Sequence, residues 1–386
     1  MSSSSAPGGM DPDLTELRAS IDVLDEELLH LIQKRMAVVE RIAEFKRAHS
    51  VPVRDLEREK RVLSDRRALA TRLGLDPATI ESIARLLLLS SRDRQTKLRV
   101  EVPQDAEPKT IAVVGAHGGM GACVTRLFSD LGHKVLAVDR DTKLAAAAAA
   151  AQSDVVVISV PIDVTEEVIA SVGPHIREEA LLMDVTSLKQ APMGAMLAAT
   201  KASVVGTHPM FGPSVHTLQG QRIVLCAGRG EDWHRWASET FRARGLVVTE
   251  ASAREHDRMM AVVQVLNHYQ TQVLGWTMSK LGVSVEETLA FRSPAYLLET
   301  YVTARHFAQS PDLYGPIEMR NPSTAEVTEA FGEAARELRE ILLAGDRRAF
   351  DAMFNDVRGY FGELTAEAVE QSQYLIDRLI ELSAGR

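Results

Sequence analysis

The sequence predicts three units in succession: an all-α unit, an α/β unit with a mainly parallel sheet, and a second all-α unit. Apolar residues recur at helical spacing from Leu14 to Phe45. Six short apolar runs, most of them separated by helical stretches, follow between positions 110 and 226. Beyond about Ala253 the strand patterns stop. With 386 residues, 45% of them hydrophobic and 25% charged, the chain has the composition of a globular protein of two or three domains.

The boundaries between these units follow from changes in pattern. We expect a disordered tail over 1–10, a helical domain over 11–99, a linker over 100–109, an α/β domain over 110–252 and a helical domain over 253–386.

Composition narrows the functional class. The start of the chain shows no export signal, and no apolar run approaches the ~18 residues of a membrane span. A net charge of -9 disfavours a nucleic-acid or anionic-membrane partner. Cys123 and Cys226 have no metal-ligand spacing and are compatible with a reducing compartment. We therefore expect a cytoplasmic protein without a metal site.

The first unit is predicted to contain three helices. Apolar residues at 14, 17, 21, 24, 28 and 31, then 38, 42 and 45, form the seam of one helix over about 11–48. Arg35 interrupts this seam, and a charge there needs an anionic partner if it is buried. A second helix is expected over 55–72 and a third over 77–98, with Asp76 as N-cap and Pro77 in its first turn.

The second unit is predicted to be a parallel sheet with helices on both faces. Its strands are expected at 110–114, 134–138, 154–160, 180–185, 203–205 and 222–226. After the fifth strand comes "GTHPMFGP", which is typical of a strand leaving a sheet for a loop. His208 is thus expected at the carboxyl end of a strand, where α/β proteins place their chemistry.

A glycine-rich turn, "VVGAHGGMG", joins the first strand to a helix. Asp139 ends the second strand, 18 residues beyond Gly121. In a Rossmann-type fold such glycines admit a pyrophosphate, and the acid binds the adenosine ribose and repels a 2′-phosphate. The motif therefore favours NAD over NADP, although Ala116 replaces the first glycine and Arg140 adjoins the acid. The expected cofactor residues in this motif are Gly115, Gly118, Gly119, Met120, Gly121 and Asp139.

The third unit begins with "RMMAVVQVL", which is apolar nearly all round. Such a helix is buried in a helical domain or at a subunit interface.

Several longer stretches resemble known families. "GTHPMFGP", preceded by "SVPIDVTEEVI" and "DVTSLK" and followed by "EHDRMMAVVQVLNH" and "RHFAQ", closely resembles prephenate dehydrogenase. "LRASIDVLDEELLHLIQKR", "VRDLEREK" and "SSRDRQ" resemble the all-helical chorismate mutases. In this order they resemble the bifunctional T-proteins of tyrosine biosynthesis. The resemblance implies that chorismate is rearranged to prephenate, and that prephenate is oxidised with NAD+ to 4-hydroxyphenylpyruvate, CO2 and NADH. The C-terminal helices are then a dimerisation domain.

For the mutase the resemblance implies a set of polar residues around the substrate: Arg18, Arg35, Lys46, Asp55, Arg58, Glu59, Ser91 and Gln95. The rearrangement needs no proton transfer, so the protein has only to hold a compact conformer and stabilise charge on the ether oxygen. Arginines suit the two carboxylates, and Lys46 with Gln95 suits the ether oxygen. Arg18 lies about 100° from Arg35 around the helix. It therefore serves a partner chain's site in this resemblance, which implies a homodimer.

For the dehydrogenase the resemblance makes His208 the acceptor of the proton from the ring 4-hydroxyl, with Ser187 beside it. Arg305 is implied to bind the ring carboxylate, although Arg254, Arg258 and Arg292 are alternatives. Gln264 and His268 line the substrate pocket, and Val160 and Pro161 belong to the cofactor site. A neutral imidazole near the ordinary pKa of ~6.5 suits the base.

Three alternatives remain at this point. The enzyme can act on 4-amino-4-deoxychorismate and the corresponding prephenate, a substrate pair against which the retention of His208 speaks. It can use arogenate as the dehydrogenase substrate. The helical unit can also be a dimerisation or effector module without catalysis, against which the presence of Lys46, Arg58, Glu59 and Gln95 speaks.

Overall fold

A computed structural model describes residues 13–49, 55–100, 107–215 and 217–383. The expected tail over 1–10 and positions 101–106 of the expected linker lie outside the described residues.

The N-terminal unit consists of the expected three helices, α1 (Leu14–Ala48), α2 (Leu56–Arg72) and α3 (Pro77–Val100). Asp76 caps α3 by accepting a hydrogen bond from the Thr79 amide at 2.7 Å. In its second half α1 buries Val39 and Ala43, whereas the expected seam residues Val38 and Ile42 are 52% and 42% exposed, so the buried face lies one position beyond the expected seam. In the first half Leu24 is 62% exposed and Leu28 is 54% exposed. The amino-terminal half of α1 therefore presents an apolar stripe that none of the described residues cover.

The central unit is a seven-stranded sheet in the order β2-β1-β3-β4-β5-β6-β7. The strands are β1 (Thr110–Val114), β2 (Lys134–Val138), β3 (Val155–Ile158), β4 (Leu181–Asp184), β5 (Ser203–Pro209), β6 (Arg222–Arg229) and β7 (Val247–Glu250). The first five in sequence pair in parallel, and β6 runs antiparallel to β5. The expected parallel fold is confirmed. The edge strand β7 was not expected, because its short "VVTE" run is largely exposed and has no continuous apolar pattern.

Helices cover both faces of this sheet, which explains the apolar runs in its central strands. They are α4 (Gly119–Asp130), α5 (Ala146–Ala151), α6 (Ile162–Val172), α7 (Gln190–Ala199) and α8 (Glu231–Ala243), with a 3-10 turn at Gly173–His175. Phe128 and Phe241 pack on one face. Ile169 and Met196 pack on the other. The two cores fix the strand ends at which the candidate site lies.

The strand before the glycine- and proline-rich segment is longer than expected. β5 extends to Pro209, whereas the pattern predicted a strand over 203–205. His208 pairs with Val224 of the antiparallel β6, and this ladder carries the strand through Gly206. His208 is therefore a buried strand residue, one position before the end of β5, and not a loop residue.

The C-terminal unit is helical throughout its described length. Its helices are α9 (Ala253–Met260), α10 (Asn267–Leu281), α11 (Val285–Ala290), α12 (Pro294–Phe307), α13 (Pro311–Arg320), α14 (Thr324–Ala344), α15 (Arg347–Phe361) and α16 (Leu364–Ser383). A π-helical turn, Ala261–Leu266, joins α9 to α10. In this "RMMAVVQVL" region Met260 and Val265 are buried, whereas Val262 and Val263 are about half exposed. Among the described residues no helix is long and apolar enough to cross a membrane.

Candidate functional site

A half-buried guanidinium lies between α1 and α3. Arg35 donates hydrogen bonds to Ser91 Oγ at 2.6 Å and to the Leu87 carbonyl oxygen at 3.2 Å. Burial lowers the pKa of Arg35, and the nearby positive charge of Arg66 lowers it further. Both of these acceptors are neutral. The positive charge on Arg35 therefore makes this position a candidate site for an anion.

A second charged group forms where α1 ends and α2 begins. Burial lowers the pKa of Lys46, an effect that the carboxylates of Asp55 and Glu59 oppose. Glu59 also forms an ion pair of 2.8 Å with Arg92 of α3. Asp55 accepts a hydrogen bond from the Arg58 amide at 2.9 Å, which fixes the first turn of α2. A half-buried ammonium group thus lies within electrostatic reach of two carboxylates whose own positions are fixed.

A buried amide on α3 has an unused acceptor. Gln95 is 8% exposed, and its Nε2 donates to the Ser91 carbonyl oxygen at 3.2 Å. Its Oε1 is buried and has no hydrogen-bond partner among the described residues. Because an unpaired buried polar atom costs free energy, Gln95 is suited to a polar ligand.

Two expected mutase residues lie apart from these groups. The side chains of Arg18 and Arg58 are exposed. Arg18 precedes Arg35 by 17 residues, or about 25 Å along the helix axis at ~1.5 Å per residue. One chain therefore does not bring Arg18 to the Arg35 position.

An open cleft of about 730 Å³ lies at the carboxyl ends of β1, β2 and β3. The turn after β1, the end of β2 and the start of α6 form its walls. Six of its lining residues are Gly115, Gly118, Asp139, Ser159, Val160 and Pro161. The position matches that of a dinucleotide in an open α/β sheet.

The glycines of this turn have different roles. Gly115 has φ of +87°, and an added Cβ would lie 2.1 Å from the Ser159 carbonyl oxygen. A Cβ on Gly121 would lie 1.9 Å from the Gly115 carbonyl oxygen, so Gly121 lets α4 pack on the turn. Gly115, and not the position of Ala116, supplies the left-handed turn. Gly119 faces Pro213, with its added Cβ 2.9 Å from Cγ.

Met120 was expected at the cofactor, but its side chain packs against the apolar cluster of Val124 and Phe128. The helical phase of α4 turns it toward the core of the sheet's other face. Asp139, by contrast, lines the cleft. Its two carboxylate oxygens accept hydrogen bonds from the His117 and Arg140 amides, each at 2.8 Å. These bonds lower the pKa of Asp139 and favour its ionised form, which can only accept hydrogen bonds.

His208 begins a buried chain of hydrogen-bonding side chains. Its Nδ1 lies 2.8 Å from Nε2 of His256, and His256 Nδ1 lies 2.8 Å from Oδ1 of Asp257. On the other side of the ring, Nε2 of Gln264 lies 3.4 Å from Nε2 of His208. The residues come from β5, α9 and the π-helical turn, so the C-terminal unit completes the surroundings of a sheet residue.

The environment keeps the His208 imidazole neutral. Burial lowers its pKa well below the ordinary value of 6.5; protonation of the neighbouring His256 would lower it further, and the positive charge of Lys189 does so. The expectation of a pKa near 6.5 is wrong, because it assumed a solvated imidazole. Lys189 forms a fully buried ion pair with Asp184 at the end of β4.

Three residues expected around the substrate lie in different environments. His268 lies on α10 next to Glu318, with 3.5 Å between Nδ1 and Oε1, and its ring packs edge-on against Tyr314. Arg305 is exposed near the end of α12. Ser187 is half-buried in the loop between β4 and α7. Within the described residues, no hydrogen bond links Arg305 or Ser187 to His208.

Sequence reasoning did not find several polar residues of these sites: Arg66, Arg92, Asp184, Lys189, His256 and Asp257. Two signals were present, the acid and lysine of "DVTSLK" and the adjacent histidine and acid of "EHDRMM". Both motifs lie in stretches that carry the family resemblance, and neither has a spacing that by itself predicts burial.

Three family models match successive parts of the chain. They are chorismate mutase type II over 17–96, the prephenate dehydrogenase nucleotide-binding domain over 123–250, and the prephenate dehydrogenase dimerization domain over 252–356. The T-protein of Enterobacter agglomerans is 34% identical over 369 residues, covering 95% of this chain and 98% of the relative. The T-protein of Haemophilus influenzae is 32% identical over 372 residues, covering 96% and 98%.

A solved structure supports the fold of the second and third units. Prephenate dehydrogenase from A. aeolicus, in complex with hydroxyphenyl propionate and NAD+, superposes with a TM-score of 0.55 and 17% identity. The match covers 66% of this chain and 98% of that one.

Replacing Gly115 by Ala tests the glycine turn. The added methyl group meets the Ser159 carbonyl oxygen and forces a left-handed residue, so we expect the affinity for NAD+ to fall at least about tenfold. Titration of NAD+ by calorimetry measures this. Gly194→Ala in α7, where an added Cβ meets nothing within 4 Å, is the matched control. Equal affinities in the two variants would refute the role given to Gly115.

Proposed function

The chain belongs to the T-protein family, and on that premise we propose that it rearranges chorismate to prephenate and then oxidises prephenate with NAD+ to 4-hydroxyphenylpyruvate, CO2 and NADH. The observation that carries the proposal is the buried, neutral His208 near the end of β5, at the sheet edge that also holds the dinucleotide cleft. The helical unit supplies the first reaction, whose product is the substrate of the second.

In the mutase site, electrostatic positioning is sufficient for the reaction. Arg35 holds a substrate carboxylate, because its guanidinium is half-buried and its described hydrogen-bond acceptors are neutral. Lys46 and Gln95 stabilise negative charge as it develops on the ether oxygen. Ser91 fixes the orientation of Arg35 through the bond of 2.6 Å. Such preorganised groups stabilise a transition state without transferring a proton.

In the dehydrogenase site, His208 is the base. Its Nε2 accepts the proton of the ring 4-hydroxyl while that C–O bond becomes a carbonyl and the C4–H electron pair leaves as hydride. NAD+, when bound, accepts this hydride. The bond to the ring carboxylate then breaks, CO2 leaves, and its electron pair completes the aromatic ring as the C4 carbonyl becomes a phenolate oxygen, which takes the proton back from His208. Burial favours the unprotonated form that His208 needs for this role.

Residues around His208 orient the substrate. Gln264 Oε1 is buried with no hydrogen-bond partner among the described residues, as expected for a group that receives a donor from a ligand. His268 lines the same helical side of the pocket, and Arg305 binds the ring carboxylate. Ser187 contacts the substrate hydroxyl beside His208. Asp139 selects NAD over NADP through its ionised carboxylate.

We also propose a cytoplasmic homodimer. The uncovered stripe on α1 and the match to a dimerization domain both support a second copy. Such a copy accounts for Arg18, which is exposed and distant from its own Arg35 but can reach the partner's mutase site. The two free cysteines suit a reducing compartment. We place the three units at 11–99, 110–252 and 253–386.

One assay tests both activities. Purified protein supplied with chorismate and NAD+ is expected to consume chorismate and form NADH and 4-hydroxyphenylpyruvate in sequence. The same assay with 4-amino-4-deoxychorismate and with arogenate identifies the substrate series. Faster turnover of the amino substrates, or of arogenate over prephenate, would refute the proposed substrates.

Replacement of Lys46 by Ala tests the mutase site. Removing a preorganised donor costs on the order of 10² to 10³ in rate, so chorismate rearrangement should fall by this factor while NADH formation from added prephenate persists. Lys60→Ala, which removes an exposed lysine of α2, is the control. Mutase rates in the Lys46 variant equal to those of the Lys60 variant would remove Lys46 from the site.

Replacement of His208 by Asn tests the base. The dehydrogenase kcat should fall by roughly 10² to 10⁴, with a much smaller change in KM for prephenate. Because burial lowers the His208 pKa, parental kcat should stay level as pH falls from 8 to about 6.5 and decline only below it. His175→Asn, at an exposed position, is the control. A variant with parental kcat, or a parental decline centred above pH 6.5, would refute the assignment.

A further inference from the structure

The motif "EHDRMM" places two buried polar residues behind the proposed base. His256 and Asp257 are each 1% exposed, and they are adjacent in sequence on α9. They take no part in the reaction described above. Their contacts nevertheless lead directly from a helix terminus of the sheet domain to the ring of His208.

The Asp257 carboxylate is held as an acceptor. Its Oδ1 accepts the Lys189 amide at 2.8 Å, and its Oδ2 accepts the Gln190 amide at 2.9 Å. These amides belong to the N-terminus of α7, where the helix dipole stabilises an anion. The bonds from His256 and from the two amides lower the pKa of Asp257 against the effect of burial. Asp257 is therefore ionised, and each of its oxygens can only accept.

Because Asp257 can only accept hydrogen bonds, it determines which ring nitrogens of His256 and His208 carry protons. His256 Nδ1, 2.8 Å from Asp257 Oδ1, must carry a proton. Lys189 pairs with Asp184, and the two amides and the dipole of α7 hold Asp257, so neither carboxylate requires a positive charge on His256. A neutral His256 has an unprotonated Nε2. That atom lies 2.8 Å from His208 Nδ1, which must then be the donor.

We infer that His256 and Asp257 are positioning residues that hold His208 in the tautomer protonated on Nδ1, leaving Nε2 unprotonated on the side of Gln264. The inference rests on the proposed function, in which Nε2 is the base. It explains why two further polar side chains are buried where apolar residues would pack at lower cost. The other tautomer would present a donor to the substrate hydroxyl and could not accept its proton.

The matched variants are His256→Phe and His256→Gln. Phenylalanine keeps a buried ring but removes the acceptor for His208 Nδ1, whereas the Gln side-chain oxygen can replace that acceptor. His133→Phe is the control, because His133 is a buried histidine at the amino end of β2, the opposite edge of the sheet. The NAD+ affinity of each variant reports whether the sheet domain is folded.

We expect kcat of His256→Phe to fall on the order of 10- to 100-fold, with KM for prephenate within about threefold of the parent. His256→Gln should keep kcat within about threefold, and His133→Phe should equal the parent. A kcat for His256→Phe at the parental level would overturn the inference. Equal losses in the Phe and Gln variants, with NAD+ affinity intact, would also overturn it.

The tautomers are read directly by ¹⁵N spectra of protein labelled on histidine, with the His208 signals assigned by their loss in His208→Asn. In the parent, both His208 and His256 should be neutral and protonated on Nδ1, and His208 in His256→Phe should become a mixture of tautomers. A doubly protonated His256, or a parental His208 protonated on Nε2, would refute the inference that His256 and Asp257 fix the His208 tautomer. This spectrum needs no substrate. Failure of the proposed function is recognised separately, by a parent that forms no NADH from prephenate.

Discussion

The carboxylate of Asp257 is the contact on which the dehydrogenase site depends. It belongs to the first helix of the C-terminal unit but binds the N-terminus of α7 in the sheet domain. The Asp257 carbonyl oxygen accepts a hydrogen bond from Asn321 Nδ2 at 2.9 Å, which adds the start of the α14 region. One residue thus fixes three segments that are far apart in sequence. Breaking such a buried charged network typically costs about 3–5 kcal/mol, so loss of the Asp257 carboxylate would weaken the contact between the two units beside His208.

A second buried charge pair supports the same edge of the sheet. Asp184 ends β4 and pairs with Lys189, while the Thr207 amide of β5 donates to Asp184 Oδ1 at 3.2 Å. The residue after Thr207 is His208, so this pair fixes the backbone next to the proposed base. A positive charge so near an imidazole also opposes its protonation. The Asp184–Lys189 pair therefore fixes the backbone next to His208 and, through Lys189, also lowers the pKa of that histidine.

The sequence predicts the fold well because the fold follows from local periodicity. The seam of α1, the N-cap Asp76 and the strands β1 and β2 all have patterns that a short window shows. The extension of β5 through His208 depends on pairing with β6, which is not local. Likewise, Met120 lies in a suggestive motif, but only the packing of α4 shows that it faces a core.

The site was predictable to the extent that single residues have a chemical signature. His208 stands out because it follows an apolar strand, and Asp139 because it ends one. His256 and Lys189 do not, since a histidine or lysine in a polar helix segment is ordinarily solvated. Their burial results from helices of one unit closing over strands of another. The lowered pKa of His208 has the same origin, and no sequence window contains it.

The π-helical turn Ala261–Leu266 separates two halves of what would otherwise be one continuous helix. A π turn contains one residue more than an α turn, so every side chain after Leu266 is rotated by about 100° from its uninterrupted phase. His256 faces His208 from the first half, while His268 faces Glu318 and Tyr314 from the second. Deleting one residue would restore the more stable α-helical hydrogen bonds and turn one of these two faces away. In genetic terms, a single codon separates the helix face that supports His208 from the face that carries His268.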